Sequence, residues 1–517
     1  MSSTTAFTGG PILTMDTARP TADAVVLEAD RIVAVGDRGV LPQYPGSTVV
    51  ELGGRTLVPG FIDAHAHLSI AALHPRWADL STVTDLEGLQ AALQAQAAAE
   101  PDADWVRGVG WTDLTNDFAP TRRDLDALDL DRPVVVVHYS YHQCVVSSAG
   151  LDALGIGRAT RDPPGGLIER APDGEPTGLL VERAFSDAHA RSIEPYRDPD
   201  CWGDHIVAAA RNLLRDGITC VHDAACAPSA EALYRQLVHD RRLPVSVLMM
   251  PHAEALLSPL TERRLDGPGT GDGDAWLRVG PVKLFADGGV LPALEGSVHG
   301  HHFSMGFVFD GLAEQATRAV ERGFRVAVHA IGNGGLAAAL DAFATAARAR
   351  PDNDHRFRVE HATLAGPGQV KRMVSIGAVG VVQPGFLHHM GGAVEGFELD
   401  DATWMPFADL ARAGVPLAAS SDSPCAFFEP VLTSARGVTR CTSKGNVLGP
   451  EQSLPYKDWL YAYTAGAAYA GGQEHERGRL GPGLRADLVV LDGALDAQHP
   501  PRVAETWVAG NRVFIRS

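Results

Sequence analysis

The chain has 517 residues, 45% of them hydrophobic and 21% charged, with a formal net charge of −19. These proportions describe an ordinary soluble globular protein, long enough for one large domain and a smaller one. The acidic balance argues against nucleic acid or an anionic membrane as partner, because either needs a basic face.

The run Met1-Ser-Ser-Thr-Thr-Ala6 has no basic segment followed by an apolar core, and no apolar run reaches membrane-spanning length. The six cysteines form no Cys-x-x-Cys pair, so reduced thiols and a cytoplasmic location are expected. Cys220 and Cys226 flank an apolar strand and read as core packing. Residues 1–57 alternate short strand-like runs with turns: Ile12–Met15, Ala24–Leu27, Arg31–Val35 and Thr48–Glu51. Residues 473–517 look alike, with Ala486–Leu491, Glu505–Val508 and Arg512–Ile515. Isolated hairpins are marginal in water, so both ends are expected to pair into one small β-sandwich.

Between them, residues 58–472 alternate strand and helix, the pattern of a parallel sheet wrapped by helices. The first strand runs into Pro59-Gly-Phe-Ile-Asp-Ala-His-Ala-His-Leu68. Seven more follow: Ile218–His222, Val245–Met249, Val282–Phe285, Val326–His329, Phe357–His361, Val379–Gln383 and Leu417–Ser421. Gly217, Gly323 and Gly414 each stand between a helix and the next strand, where a left-handed cap is wanted. Eight parallel strands with outer helices predict an α/β fold of the (β/α)8 TIM barrel type. Residues from about 74 to 204 exceed any single crossover and read as an inserted α/β subdomain after the first strand, with a helix over Asp85–Ala98 and a strand over Pro133–His138.

Histidine, acid and lysine fall at the carboxyl ends of these strands. His65 and His67 end the first, Lys283 lies in the fourth, His329 ends the fifth, His361 ends the sixth and Asp422 follows the eighth. On a strand, residues i and i+2 share a face, so His65 and His67 suit capture of a divalent metal. Barrel active sites lie at those strand ends, so all six side chains are expected at one mouth. The chain has only four lysines, Lys283, Lys371, Lys444 and Lys457. A lysine inside an apolar strand of such an arginine-biased chain hints that the amine itself is needed.

The order His-x-His, Lys, His, His, Asp, with a β domain from both ends, resembles the metal-dependent amidohydrolase superfamily. Leu284-Phe-Ala-Asp-Gly288, Val328-His-Ala-Ile-Gly332, Val359-Glu-His361 and Ser421-Asp-Ser-Pro424 look like the branch that includes N-substituted formamide deformylase. The chain departs from that branch after Asp287-Gly288, where Gly289-Val-Leu-Pro292 stands; this puts the substrate in doubt. By the resemblance, His65, His67 and Asp422 would hold one zinc ion and His329 and His361 a second. Lys283, carboxylated on its amine by carbon dioxide, would bridge two ions, and one ion would suffice without that bridge. The competing reading of Lys283 is an ion pair with Asp287.

The chemistry implied is hydrolysis of a non-peptide C–N bond in an amide, N-formyl or N-acyl small molecule. Water is activated at the metal, with Asp422 as general base and then general acid. His222 is either an imidazole donor to the oxyanion or an inner structural histidine, and Asp63 is expected to orient a ligand or cap a turn. Tyr141, His142, Phe386 and His388 are placed to touch substrate, while the histidine-dense run Val298–Phe303 reads as a solvated loop. One rival is a mononuclear-metal deaminase of an amino-heterocycle. Another, of a different class, is a catalytically inactive barrel acting as scaffold or binding protein. A small molecule is the expected partner, with neither nucleic acid nor membrane; a homodimer is compatible with a sequence that does not fix the oligomer.

Overall fold

The computed structural model describes residues 4–112, 118–252 and 264–516; Met1–Ser3, part of the run read for a leader, lie outside them. Eight parallel strands stand where periodicity predicts them. They are β1 (Phe61–Ala66), β2 (Ile218–Cys226), β3 (Ser246–Pro251), β4 (Val282–Phe285), β5 (Val326–Ala330), β6 (Arg358–His361), β7 (Val379–Val382) and β8 (Leu417–Ala419). Nearly every residue in them is buried, because helices cover one face of the strands and packed side chains the other.

Pairing runs β1–β2–β3 in one parallel sheet, which ends on the short strand Leu277–Val279, and β4 to β8 in order in another. A parallel bridge between His252 and Lys283 joins β3 to β4. On the other side, the Asp422 amide donates to the His65 carbonyl and the His67 amide to the Ser423 carbonyl, both at 2.8 Å, so the chain after β8 runs beside the end of β1. Gly217 (φ +78°) and Gly414 (φ +87°) end the helical turns before β2 and β8 in the left-handed region, as their positions predict. At Gly217 a Cβ would also meet Phe61 and Val489 at 2.9 Å.

Both chain ends enter one sheet. Its order is Asn511–Ile515, Arg502–Val508, Leu488–Asp492, Thr56–Pro59, Thr4–Leu13, Thr21–Glu28 and Arg31–Gly36, with Thr48–Glu51 also paired to Thr4–Leu13. A core of Phe7, Val25, Leu57, Leu488 and Trp507 holds it together, and Phe7 meets Trp507 edge to face at 5.1 Å between centroids.

The segment after β1 is richer in strands than its sequence suggests. Pro133–His138 predicts one strand, yet Val134–His138 is the fourth strand in a sheet of six: Gly166–Arg170, Pro176–Glu182, Gln143–Val146, Val134–His138, Val106–Trp111 and Ala78–Asp79. The others are short or interrupted by glycine and charge, and their pairing partners supply what local propensity does not. The predicted helix is present over Leu86–Ala99, with Asp85 as N-cap accepting from the Gly88 amide. All six cysteines are free, and no helix among the described residues is long and apolar enough to cross a membrane.

Trp507→Ala removes a buried side chain that joins the two chain ends, and should cost about 3–5 kcal/mol. Urea unfolding followed by circular dichroism would show this as a lower midpoint of the main transition.

Candidate metal centre

Four imidazoles, a lysine and a carboxylate meet at the carboxyl ends of the strands. The His65 ring lies 5.3 Å from that of His67 and 5.1 Å from that of His361, and the His329 ring lies 4.6 Å from His361. Asp422 Oδ1 is 3.3 Å from Nε2 of both His65 and His67. Lys283 Nζ stands 3.7 Å from the centre of the Phe285 ring, and its charge bears on both His329 and His361.

The outer nitrogens of three rings are tied down. His65 Nδ1 donates to Glu360 Oε2 (2.5 Å), His67 Nδ1 to the Ala224 carbonyl (2.9 Å) and His361 Nδ1 to Gln383 Oε1 (3.0 Å). Each of these acceptors requires the proton on Nδ1, so in the neutral ring, the form that binds a metal, Nε2 carries the lone pair. Nε2 of His65 and of His329 is buried without a hydrogen-bond partner. One donor atom each from His65, His361 and Asp422 lies within 4.8 Å of the others. Buried lone pairs converging on a carboxylate suit a divalent cation, and the residues fit one. The tight trio cuts across the expected division, which pairs His361 with His329 and not with His65 and Asp422.

Burial, helped by neighbouring positive charge, holds the His329 imidazole far below its ordinary value; His361 is pushed down to about 3, chiefly by burial. Both are therefore neutral, as metal ligands must be. Burial lowers His65 as well, but the flanking Glu360 and Asp422 carboxylates more than offset it. Burial also raises the Asp422 carboxyl, yet the His65 and His67 rings outweigh that and keep it ionised.

Asp63 lies one strand position inward. Its Oδ1 accepts from the His65 amide (3.2 Å) and the Ser421 amide (3.1 Å), which fastens the end of β1 to the end of β8. Asp287 is not held as an ion-pair partner alone: its carboxylate accepts from the amides of Ala293, Ile331 and Gly332 at 3.0, 3.1 and 2.8 Å. Asp422, His361, Ala362 and Ala225 all have φ between +46° and +77°. Such backbone is costly for residues with a Cβ and gathers at functional sites.

A cavity of about 130 Å³ opens onto the cluster, lined by all six predicted ligands. Its far wall comes from the segment after β1 and includes Tyr141, His142 and His189. Phe386 and His388 are not among its lining residues. Phe386 stacks behind His361, with ring planes 12° apart. His388 lines an adjoining outer groove with Tyr139 and Phe427, and Pro424 and Cys425 are shared by both spaces. His222 is not brought to the cavity either. It lies three residues before Ala225 on β2, fully buried, with Nδ1 accepting from Arg358 (3.2 Å) and its Nε2 edge against Gly471. The run Val298–Phe303 forms an exposed hairpin with Leu294–Val298 paired to His301–Met305. The metal-ligating group found among the described residues lies elsewhere.

Several contributors were not picked out in the sequence. Glu360 orients His65 and is itself held by Arg358 (2.8 Å); the alternation Arg358-Val-Glu360 in an apolar strand was its signal. His252 lines the cavity and falls just past the predicted end of the third strand, which runs on to Pro251. Glu182 holds His142 (2.7 Å), and nothing in its spacing announces that.

The sequence profile of the amidohydrolase family matches residues 48–514. An N-substituted formamide deformylase of Arthrobacter pascens is 32% identical over 505 residues, covering 93% of this chain and 92% of that protein. A putative amidohydrolase, YtcJ, of Bacillus subtilis is 29% identical, covering 98% and 99%. The crystal structure of an uncharacterised metal-dependent hydrolase from Pyrococcus horikoshii superposes with a TM-score of 0.75 at 25% identity, over 96% of this chain and all of that one.

Glu360→Gln should weaken metal binding roughly 10–100-fold by loosening the His65 ring. Competition with a chromophoric zinc chelator measures it, and circular dichroism shows whether the fold is kept.

Proposed function

We propose, from the premise that this chain belongs to the amidohydrolase family, that it is a zinc-dependent hydrolase of a non-peptide C–N bond in a small amide, N-formyl or N-acyl compound. The observation that carries this reading is the ring of anchored imidazoles whose Nε2 atoms converge, with Asp422, on one cavity. Histidine nitrogen and carboxylate oxygen are donors that suit zinc. His65, His67 and Asp422 would hold one ion and His329 and His361 a second. Lys283, on the same wall, would bridge them once carboxylated, a reaction of the neutral amine that burial favours. When bound, the metal supplies Lewis acidity that polarises a carbonyl and acidifies water.

The protein's own groups do the rest. Asp422 is kept ionised and turns Oδ1 to two imidazoles. Its other oxygen takes the proton of the attacking water and returns it to the leaving nitrogen. The cavity wall of Phe185, Ile193 and Trp202 excludes bulk water and accepts an apolar substituent. His222 does not line this cavity. In the same reading the eight strands close as a (β/α)8 barrel in the cytoplasm. Residues 1–57 and 473–517 form its β-sandwich companion, and about 74–204 form the inserted unit. The 32% identical deformylase supports the C–N bond and the N-formyl class.

One observation favours the mononuclear deaminase as second reading: the tightest donor group, His65, His361 and Asp422, is a set for one ion. Metal analysis separates the two, with two ions per chain for the amidase and one for the deaminase. A panel of N-formyl, N-acetyl, hydantoin and amino-heterocycle compounds tests the substrate class; turnover confined to the amino-heterocycles would refute the amidase. Asp422→Asn should keep most metal and lose roughly 10³-fold in kcat, read by metal analysis beside steady-state kinetics. Chelation should abolish activity and added zinc restore it.

A further inference from the structure

The loop after β4 and the segment after β1 meet at two glycines. A Cβ on Gly288 would lie 2.3 Å from Glu182 Oε1, and one on Gly289 would lie 2.4 Å from His142 Cδ2 and 2.7 Å from its Nε2. Asp287-Gly288-Gly289 is therefore a bare backbone shelf on which these two side chains rest. Glu182 is 4% exposed and makes a full set of contacts there. Its Oε2 lies 2.7 Å from His142 Nδ1, which the Gly289 amide also approaches at 3.1 Å, and its Oε1 accepts from the amides of Val290 (2.9 Å) and Leu291 (3.1 Å). The Glu182 amide donates to the His142 carbonyl at 2.7 Å. Glu182 has φ +51° and Tyr141, beside His142, has φ +58°, so both turns hold backbone that side-chain-bearing residues avoid. The His142 ring then lines the cavity, its centroid 5.3 Å from that of His329.

We propose that Glu182 is a positioning residue of the active site, which holds the proton of His142 on Nδ1 so that the Nε2 lone pair of that imidazole accepts from the N–H of the scissile amide. A carboxylate that captures one ring nitrogen sets the orientation and tautomer of the other. The same contacts lock that segment to the β4 loop, so the group that touches substrate and the wall that encloses it are placed together. The inference rests on the hydrolase reading above.

The test is a double-mutant cycle on His142→Ala, Glu182→Gln and the pair, with Gly289→Ala as a steric control. The probe is 4-nitroformanilide, a chromogenic N-formyl amide, or whichever panel compound the wild type turns over. We expect His142→Ala to lower kcat roughly 10²-fold with little change in KM, and Glu182→Gln to lower it roughly 10-fold. The pair should be no worse than His142→Ala, and Gly289→Ala should resemble His142→Ala. Metal content and thermal midpoint of Glu182→Gln should match the wild type. An equal loss from Glu182→Gln with and without His142, or an unchanged kcat, overturns the proposal. Wild type active only on amino-heterocycles refutes the amide reading while the cycle is still read on them. A chain inert to every compound refutes the hydrolase reading. The crystal structure of Glu182→Gln then decides: the proposal requires the His142 ring to lose its single orientation over Gly289, and an unmoved ring counts against it.

Discussion

The structure depends on where the protons of three imidazoles are held. Glu360, the Ala224 carbonyl and Gln383 each take an Nδ1 proton from outside the ring of histidines. In the neutral rings the Nε2 lone pairs are left facing one another and Asp422 inside a buried space. That arrangement is electrostatically poor by itself and becomes favourable around a cation. The cost of burying it falls on the strands that carry it, which explains how much of the surrounding hydrogen bonding is spent on holding ligands still.

Two buried acids show the point. Asp63 takes amides from both the first strand and the chain after the last. The His-x-His segment and Asp422, more than three hundred residues apart in sequence, therefore keep one register. Glu360 is held by Arg358, which also reaches the Ala64 carbonyl (2.7 Å) and His222. A buried ion pair of this kind is weak as a source of net stability, but breaking it leaves a charge without a partner. Its value here lies in the fixed place it gives to His65. His222, legible as a strand-end histidine, belongs to this inner layer.

The far wall of the cavity has a different origin. It comes from a turn and helices that accompany a six-stranded sheet inserted after the first strand; one face of that sheet has its own core of Leu89, Leu93, Val106 and Val136, and the other, with Val135, Val137 and Phe185, joins the core of the parallel strands. Rims built from insertions vary without disturbing the strands beneath them. In the proposed reading, metal ligation and substrate selection fall to different parts of the chain, and the Gly288-Gly289 shelf is where the two are joined.

The sequence by itself determined the eight strands, the helix-ending glycines, the pairing of both chain ends and the six side chains that share one cavity. Those features follow from period, from local turn chemistry and from the rule that strand ends point to one side, all of which are local or topological. Tertiary structure alone decided which strand-end groups face the cavity. Phe386 turned behind His361, His388 went to an outer groove, and His222 fell one layer too deep, because a strand's register and length fix depth and the sequence marks them only to within a few residues. It also decided the partners of the ligands. Glu360, Gln383 and Glu182 act through contacts between segments far apart in the chain, and such contacts leave no spacing to read.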